Sequence, residues 1–351
     1  MPKNKGWGDR YRRILEALGE AILVISRKHR IVLFNRSASD LLGWALPLEG
    51  RRIEEVFASG EMIRCLDAVF EDGNRREMRI ESYHESTGPD AVVRGKGREK
   101  QYKLSMNLLD EKYVIISLED ITKIERLDKV RQDFVSNVSH ELKTPLTAIT
   151  GFAETLADED LSKEEIRGFA RIILKNSSHM QSIIEDLLLL TSLDRNEISE
   201  AMERTPDDKI LAEAKAYTQY KAESKSIEVV YKSAGIEALC SESLIVQAVI
   251  NLVINAISYS PEGSAVNVWT REKNGMLEFI VSDHGYGIAD EDIPRIFERF
   301  YRVDKARSRE SGGTGLGLSI VRHIAIIHHG TIKVESKLGE GSVFTLSIPI
   351  S

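Results

Sequence analysis

Short apolar runs separated by polar turns dominate the first third of the chain. The runs AILVIS and RIVLF are typical of β-strands, and the polar turn Arg27-Lys28-His29 divides them. Helical periodicity follows near residues 37–42 and 61–70, and three more strand-like runs read EMRIESY, QYKLSMNLL and KYVIISLED. The glycine-rich and charged stretch HESTGPDAVVRGKGREK predicts a loop before the last two runs. This pattern predicts a small mixed α/β domain between residues 10 and 120.

From residue 121 onwards, apolar positions recur at steps of three and four, the period of an amphipathic helix. They are Ile124, Leu127, Val130, Phe134, Val138 and Leu142. After a polar break at 158–160, the capping-box sequence Ser162-Lys163-Glu164-Glu165 predicts the start of a second helix. Its apolar residues recur every seven positions, at Ile166, Ile173, Met180 and Leu187. Such a hairpin exposes one apolar stripe, so we expect a second copy to cover it in a dimeric four-helix bundle.

Beyond Thr205 and Pro206, helical and strand-like segments alternate. Helices are predicted near 207–223, 241–259 and 315–328, and strands near 227–231, 265–271, 276–283, 331–336 and 342–349. This order predicts an α/β sandwich in which helices cover one face of a mostly antiparallel sheet. The whole chain is therefore predicted to be a multidomain α+β protein.

Composition narrows the class of protein. The 351 residues are 42% hydrophobic and 29% charged, which is typical of soluble globular domains. The net charge of -7 disfavours nucleic-acid binding, which needs a basic face. Cys65 and Cys240 lie far apart, which disfavours a disulfide framework or a cysteine metal site. The N-terminus lacks the pattern of a signal peptide, and no apolar run approaches the ~20 residues of a bilayer span, so we expect a cytoplasmic chain.

A candidate nucleophile lies on the first helix of the hairpin, in the segment VSHELKTPL. His140 is two residues from both Val138 and Leu142, and therefore about 200° round the helix from the apolar stripe. An exposed imidazole beside a carboxylate suits nucleophilic chemistry, because Glu141 can accept its proton. Pro145 removes one helical hydrogen bond and favours bending one turn later. A solvated surface histidine is the alternative, and this short motif by itself leaves both interpretations open.

Together with four further motifs, this segment resembles the bacterial sensor histidine kinases, and the chain is similar to those of the phosphate-regulon type. SHELKTPL resembles their phosphoacceptor box, and NLVINAISY at 251–259 resembles their asparagine box. DHGYGI at 283–288 resembles the first glycine box, FERFYR at 297–302 the phenylalanine box, and GTGLGL at 313–318 the second glycine box. RIVLFNRSASDLLGW and SLEDIT resemble parts of a PAS sensor domain. The resemblance implies a PAS-like domain at 8–120, a dimerisation and histidine-phosphotransfer hairpin at 121–203, and a catalytic ATP-binding domain of the GHKL type at 204–351.

The asparagine box suggests a metal site. Asn251 and Asn255 lie four residues apart, so both amides face the same side of a helix. An amide oxygen is a hard ligand suited to Mg²⁺, which bridges nucleotide phosphates. By resemblance, Asn255 is the metal ligand, Asn251 assists it, and Tyr259 packs beside the nucleotide. A buried polar pair within a core helix is the alternative. The family often has lysine where this chain has Ser258, so one phosphate-binding cation is either missing or supplied elsewhere.

The first glycine box suggests a site for adenine. Asp283 ends a predicted strand, where its carboxylate can accept the amino hydrogen of the base. Gly285 and Gly287 let the backbone approach the base, and the resemblance adds Ile288 to the same site. A lone DxGxG motif is more often only a turn. His284 replaces the asparagine that the family normally has, which leaves details of the pocket open.

The second glycine box suggests a site for phosphate. Glycine-rich backbone that leads into a helix offers bare amides and the positive end of the helix dipole to phosphate oxygens. The residues concerned are Gly313, Thr314, Gly315, Leu316 and Gly317. A hinge is the alternative, and residues 306–313 (ARSRESGG) are expected to form a lid over ATP. By resemblance, Tyr301 and Arg302 also contact the nucleotide. Arg299 is a candidate for phosphate contact, for holding the lid, or for a solvated surface charge.

The resemblance implies ATP-dependent autophosphorylation of His140 and transfer of the phosphoryl group to an aspartate of a cognate response regulator. Thr144 resembles the family position that orients a hydrolytic water, which implies phosphatase activity toward the phosphorylated regulator. The expected assembly is a homodimer that reaches a membrane, if at all, only through a segment absent from this chain. The alternatives are an ATPase of the gyrase and heat-shock-chaperone type, and an ATP-binding signalling scaffold without phosphotransfer. His323, His328 and His329 have no ligand-type partners in the sequence, so core or surface roles are expected for them.

Overall fold

The computed structural model describes residues 9–42, 48–57, 59–83, 99–158, 161–194, 202–303 and 313–351. The contacts of the chain divide it into two compact units, residues 1–133 and 134–351. The loop predicted at 84–100 and the lid predicted at 306–313 fall largely outside the described residues.

The first unit is the predicted mixed α/β domain. Its elements are α1 (Asp9–Ala17), β1 (Ala21–Ser26), β2 (Ile31–Phe34), α2 (Arg36–Leu42), α3 (Ile53–Val56), α4 (Gly60–Asp72), β3 (Arg76–Tyr83), β4 (Glu99–Asp110) and β5 (Tyr113–Asp120). The five strands form an antiparallel sheet in the order β2-β1-β5-β4-β3. The predicted strands and the helices α2 and α4 are confirmed, whereas α1 and α3 lie outside the predicted elements.

Both faces of this sheet are covered, and β1 shows how. Successive side chains of a strand point to opposite faces. Leu23 and Ile25 therefore join the larger core, which includes α4. Ile22 and Val24 face the other way and pack in a smaller cluster with Leu15 of α1. This is why AILVIS reads as a continuous apolar run instead of an alternating one.

Two long helices form the predicted hairpin, α5 (Thr122–Asp158) and α6 (Lys163–Asp194). The amide of Glu165 donates to the Ser162 hydroxyl at 3.3 Å, and the amide of Ser162 donates to the Glu165 carboxylate at 2.9 Å. These two bonds confirm the capping box. Phe152 and Phe169 stack at 5.3 Å between ring centroids, one from each arm. Pro145 lies inside α5, which continues past it as one helix.

The hairpin keeps part of its apolar surface exposed. The exposed large side chains of the hairpin within the second unit are Val135, Leu146, Ile166, Ile172, Leu174, Ile184 and Leu188. Near the end of α6 the apolar side chains are buried instead of exposed. Leu190 and Leu193 pack in the core of the domain that follows. Of these exposed side chains, only Ile166 belongs to the predicted stripe, because Phe134, Val138, Leu142, Ile173, Met180 and Leu187 are half-buried.

The predicted α/β sandwich forms the rest of the second unit. Its elements are β6 (Glu203–Pro206), α7 (Asp207–Ser224), β7 (Glu228–Lys232), β8 (Glu237–Cys240), α8 (Glu242–Tyr259), β9 (Ala265–Lys273), β10 (Met276–Asp283), α9 (Gly317–Ile327), β11 (Thr331–Lys337) and β12 (Gly341–Pro349). Five strands form a sheet in the order β11-β12-β10-β9-β7, in which only the β7–β9 pair is parallel. The small β6–β8 ladder lies outside the predicted strands.

The core of the sandwich lies between this sheet and the helices α7, α8 and α9. α8 is a strongly apolar helix, with a mean hydropathy of 1.4 over its 18 residues. Its length and composition would suit a membrane span, but 56% of it is buried inside the unit, as expected for a core helix. The two neighbours of α8 in this layer are α7 and α9. This arrangement brings the asparagine box beside the second glycine box.

Candidate active site

His140 lies on the exposed side of α5, as the helical period predicts. Phe134, Val138 and Leu142 are less exposed and form the inward side of the helix. The hydroxyl of Thr144 donates to the carbonyl of His140 at 3.1 Å, so it satisfies a backbone group one turn away. An open depression runs along this face and is lined by His140, Lys143, Thr144, Thr147 and Ala148. The imidazole is therefore accessible to a second reactant.

Glu141, beside this histidine, is held by an arginine of the following domain. Nη2 of Arg302 donates to Oε2 of Glu141 at 3.3 Å, and the Arg302 side chain is only 7% exposed. The same guanidinium donates to the carbonyl of Gly313 in the second glycine box. The carboxylate predicted to accept a proton from His140 is thus neutralised by a cation in this structure.

Within the asparagine box, the amide of Asn251 faces the start of α9. Asn251 and Asn255 are half-buried on one face of α8. Within the described part of the chain, Nδ2 of Asn251 is buried and has no hydrogen-bond partner. A β-carbon at Gly317 would lie 3.5 Å from Oδ1 of Asn251. A buried unpaired amide is costly unless a ligand completes it, and here it adjoins a helix N-terminus that favours anions.

Asp283 is buried at the end of β10, where two amides hold one of its oxygens. Oδ1 accepts hydrogen bonds from the amide of Gly285 at 2.8 Å and from the amide of Ser342 at 3.2 Å. Burial raises the pKa of the Asp283 carboxyl, and these two amides oppose that increase. All hydrogen bonds from described residues fall on Oδ1, which leaves Oδ2 to accept a hydrogen bond from a ligand.

The glycines that follow Asp283 are required by close backbone contacts. A β-carbon at Gly285 would lie 2.5 Å from the carbonyl oxygen of Tyr259, the last residue of α8. Gly287 has a φ of 69°, and a β-carbon there would collide with the carbonyl of Lys337. The amide of Ile288 donates to the Ser336 hydroxyl at 2.9 Å. The turn is therefore packed tightly between the end of α8 and the end of β11.

The second glycine box packs against the segment that contains the phenylalanine box. Gly315 has a φ of 74°, and a β-carbon there would lie 3.0 Å from the Cα of Phe300. The amide of Phe300 donates to the carbonyl of Gly315 at 2.8 Å. Phe300 itself has a φ of 63°, a left-handed conformation that bulky residues rarely adopt. Backbone strain of this kind occurs most often at functional sites.

Three side chains predicted to contact the nucleotide contact protein groups in this structure. The hydroxyl of Tyr301 donates to Asp292 at 2.6 Å, and the guanidinium of Arg295 lies 4.2 Å above its ring centroid. The hydroxyl of Thr314 donates to Asp186 of α6 at 2.7 Å. Arg302 binds Glu141, as described above. Nucleotide contacts by these three residues therefore stay predictions.

The remaining predicted residues form two groups around α8. One group lies at the end of α8 near Asp283, and the other lies where the second glycine box meets α9. The first group contains Tyr259, Asp283, Gly285, Gly287 and Ile288, and the second contains Asn251, Gly313, Gly315, Leu316 and Gly317. Asn255 is half-buried on α8, one turn after Asn251. Such a distribution suits a ligand with a base at one end and phosphates at the other.

The carboxylate of Asp194, at the end of α6, makes contacts that the sequence did not predict. Both oxygens of Asp194 accept from Nη2 of Arg299, each at 2.8 Å, and Nε2 of His323 lies 2.8 Å from Oδ1. The Arg299 guanidinium also lies 5.4 Å from the ring centroid of Phe134, which in turn lies 5.9 Å from that of Phe300. Arg299 and Asp194 are separated by 105 positions, so no local pattern could pair them.

Three parts of the chain match known protein families. Residues 9–81 match the PAS domain, and residues 130–196 match the His Kinase A (phospho-acceptor) domain. Residues 240–351 match the histidine kinase-, DNA gyrase B- and HSP90-like ATPase family. The matches occur in the order that the motifs predicted. They place His140 in the phospho-acceptor domain and Asn251, Asp283 and the glycines in the ATPase domain.

Relatives that match two thirds or more of the chain include sensor proteins. The phosphate regulon sensor protein PhoR of Pseudomonas aeruginosa is 30% identical over 342 residues, which cover 96% of this chain and 73% of PhoR. The sensor-like histidine kinase SenX3 of Mycolicibacterium smegmatis is 41% identical over 241 residues, which cover 68% of this chain and 63% of SenX3. The matched region thus spans less than two thirds of SenX3.

A solved structure shares the fold. The histidine kinase ThkA, in complex with the response regulator protein TrrA, superposes with a TM-score of 0.50 at 24% identity. The alignment covers 96% of this chain and 98% of that one. At this level of identity, the likeness supports the order and architecture of the domains.

Proposed function

The chain belongs to the sensor histidine kinases, and from this premise we propose that it uses ATP to phosphorylate His140 and passes the phosphoryl group to an aspartate of a response regulator. One observation carries the proposal. The exposed imidazole of His140 shares a compact unit with an ATPase-family domain that has an unpaired amide at Asn251 and a buried carboxylate at Asp283. The proposed domains are a PAS-like domain at 8–120, a phosphotransfer hairpin at 121–203 and an ATP-binding domain at 204–351.

ATP is proposed to bind along α8 with its adenine at Asp283. Oδ2 of Asp283 would accept a hydrogen bond from the amino group of adenine. Gly285, Gly287, Ile288 and Tyr259 would surround the base. The phosphates would lie against the N-terminus of α9, near Gly317 and Asn251, where backbone amides and the helix dipole favour negative charge.

Asn255, assisted by Asn251, is the proposed holder of Mg²⁺. Among the described residues, no group of three or more His, Cys, Asp or Glu side chains could hold a metal ion. The half-buried amides suit Mg²⁺ because this ion often takes one or two protein oxygens and completes its shell with phosphates and water. When bound, the ion neutralises charge on the phosphates.

The proposed transfer joins a ring nitrogen of His140 to the γ-phosphorus. The N–P bond forms while the bond from the γ-phosphorus to the bridging oxygen breaks, and the electron pair leaves with ADP. The proton on the other ring nitrogen becomes acidic as the N–P bond forms, and Glu141 accepts it. Glu141 must first part from Arg302, so we infer that the ATP-binding domain moves relative to the hairpin before transfer.

The hairpin is also the proposed site of partner binding. Its exposed apolar side chains support a homodimer in which two hairpins form a four-helix bundle. The phosphorylated histidine would then face a response regulator, and Thr144 would orient a water for hydrolysis of the regulator's phosphoaspartate. We also propose a cytoplasmic location, with any membrane attachment through a segment outside this chain.

Labelling with radioactive ATP tests the kinase proposal. The wild-type protein is expected to acquire label that is stable to base and labile to acid, and His140→Gln is expected to acquire none. His329→Asn is the matched control, because His329 is an exposed histidine whose φ of 52° suits asparagine, and it should label like wild type. Label retained in His140→Gln would exclude His140 as the acceptor. ATP hydrolysis without any label would favour an ATPase of the gyrase and chaperone type.

A further inference from the structure

Two lysines join α7 to α8, one at each end. Near the start of both helices, Nζ of Lys209 donates to the carboxylate of Glu242 at 2.6 Å. At the other end, Nζ of Lys225 donates to the carbonyls of Ile257 at 2.8 Å, Ser258 at 2.8 Å and Ser260 at 2.7 Å. The two helices therefore run side by side in the same direction, with a lysine of the α7 segment at either end of α8.

Lys225 occupies the C-terminal end of α8. The last carbonyls of a helix have no partners within it, and they form the negative end of its dipole. An ammonium has three donors, and each donor of Lys225 meets one of these carbonyls. Burial lowers the pKa of the Lys225 amine, and the nearby charge of Glu262 opposes that decrease. The half-buried cation thus caps the helix end.

The same helix end lies beside the proposed adenine site. Tyr259 is the last residue of α8, and its carbonyl accepts from the amide of Tyr286 at 3.2 Å. A β-carbon at Gly285 would lie only 2.5 Å from that carbonyl oxygen, so the turn after Asp283 rests directly on the backbone of Tyr259. A displacement of the end of α8 must therefore displace this turn or open a gap beside it.

We propose that Lys225 is a positioning residue for the nucleotide site, which it holds in shape by fixing the end of α8 against the turn that follows Asp283. The inference rests on the ATP binding proposed above. It also gives a role to the lysine that contacts Ser258. The carbonyl of Ser258 accepts a hydrogen bond from Lys225, and the hydroxyl of Ser258 donates to the carbonyl of Ile254. In this chain, a lysine close to the asparagine box shapes the pocket through the backbone.

The test compares Lys225→Met with Lys209→Met. Methionine keeps the length of the side chain and removes the charge and the donors. For Lys225→Met, we expect the Kd of the non-hydrolysable analogue AMPPNP to rise about tenfold, and the KM for ATP in autophosphorylation to rise in step. The kcat at saturating ATP should stay within about twofold of wild type, because bound nucleotide restores the shape of the pocket. Lys209→Met breaks a contact at the opposite end of α8, and it should bind AMPPNP like wild type.

The outcomes separate this inference from the proposed function. If wild-type protein does not bind AMPPNP, ATP binding itself is wrong. If wild type binds and Lys225→Met binds equally well, or loses kcat with an unchanged KM, Lys225 has no positioning role. If Lys225→Met does not fold, Lys225→Gln takes its place, because its amide can still donate to two of the carbonyls. Its Kd should then lie above that of wild type, and a Kd equal to wild type would likewise overturn the inference.

Discussion

Asp186, on α6 in the second unit, lies in an environment that disfavours the ionised form of its carboxyl. Burial raises the pKa of its carboxyl, the charge of Glu185 raises it further, and the hydrogen bond from Thr314 opposes the increase. The folded chain therefore binds a proton at this carboxyl more tightly than the unfolded chain does. Stability is then lost as the pH rises from the ordinary aspartate pKa of about 3.9 through the raised folded value.

Asp186→Asn tests this effect. Asparagine cannot ionise, yet its amide oxygen can still accept from Thr314, so the variant should unfold at a higher urea concentration than wild type at pH 7. The difference should shrink as the pH falls below the ordinary range of aspartate, because wild-type Asp186 is then protonated as well. Glu154→Gln, an exposed change of the same charge on α5, should show no such pH-dependent difference. A gain in stability that does not vary with pH would contradict the explanation.

Among the elements, α6 depends on how its first turn begins. The Ser162 hydroxyl accepts from the amide of Glu165, which has no partner within the helix. Ser162→Ala removes this acceptor and should weaken the first turn by about 1 kcal/mol. The measurement is amide hydrogen exchange at residues 163–166, which should become faster. Ser182→Ala is the control, because Ser182 lies within α6 and donates to the Ser178 carbonyl, where alanine is at least as favourable. Equal exchange in both variants would show that the cap contributes nothing.

For the molecule as a whole, the contacts between the hairpin and the ATP-binding domain decide which chemistry is available. Glu141 pairs with Arg302, Thr314 donates to Asp186, and Asp194 binds Arg299 and His323. Residues predicted to serve the nucleotide are therefore engaged with the hairpin. We expect phosphorylation of His140 to require that these contacts break.

Asp194→Asn should loosen this contact without touching the proposed catalytic groups. The asparagine cannot pair with the charge of Arg299, so the initial rate of autophosphorylation should rise, by about fivefold if the pair contributes 1 kcal/mol. The control is Asp208→Asn, an exposed change of the same type on α7, which should label at the wild-type rate. A slower rate in Asp194→Asn would mean that the contact seen here supports the transfer.

Features of the chain that depend on local spacing were predictable from the sequence, and features that join distant positions were not. The helices and strands of the sandwich were predictable because apolar periodicity reports which face of an element is buried. β6 and β8 were missed because each has only four residues, too few to show a period. The placement of Asn251 and Asn255 on one face of α8 was predictable because residues four apart share one face of a helix.

The sequence by itself determined most of the helices and strands, since these follow from apolar spacing within a few turns. Its motifs indicated the order of the domains through their resemblance to a known family, and the family matches bear that order out. Only the tertiary structure decided three sets of contacts. Lys225 donates to carbonyls at the end of α8, Asp194 pairs with Arg299 and His323, and Arg302 pairs with Glu141. These contacts join positions far apart along the chain. Their partners are set by how the helices pack, and a charged side chain shows no period that would reveal its partner.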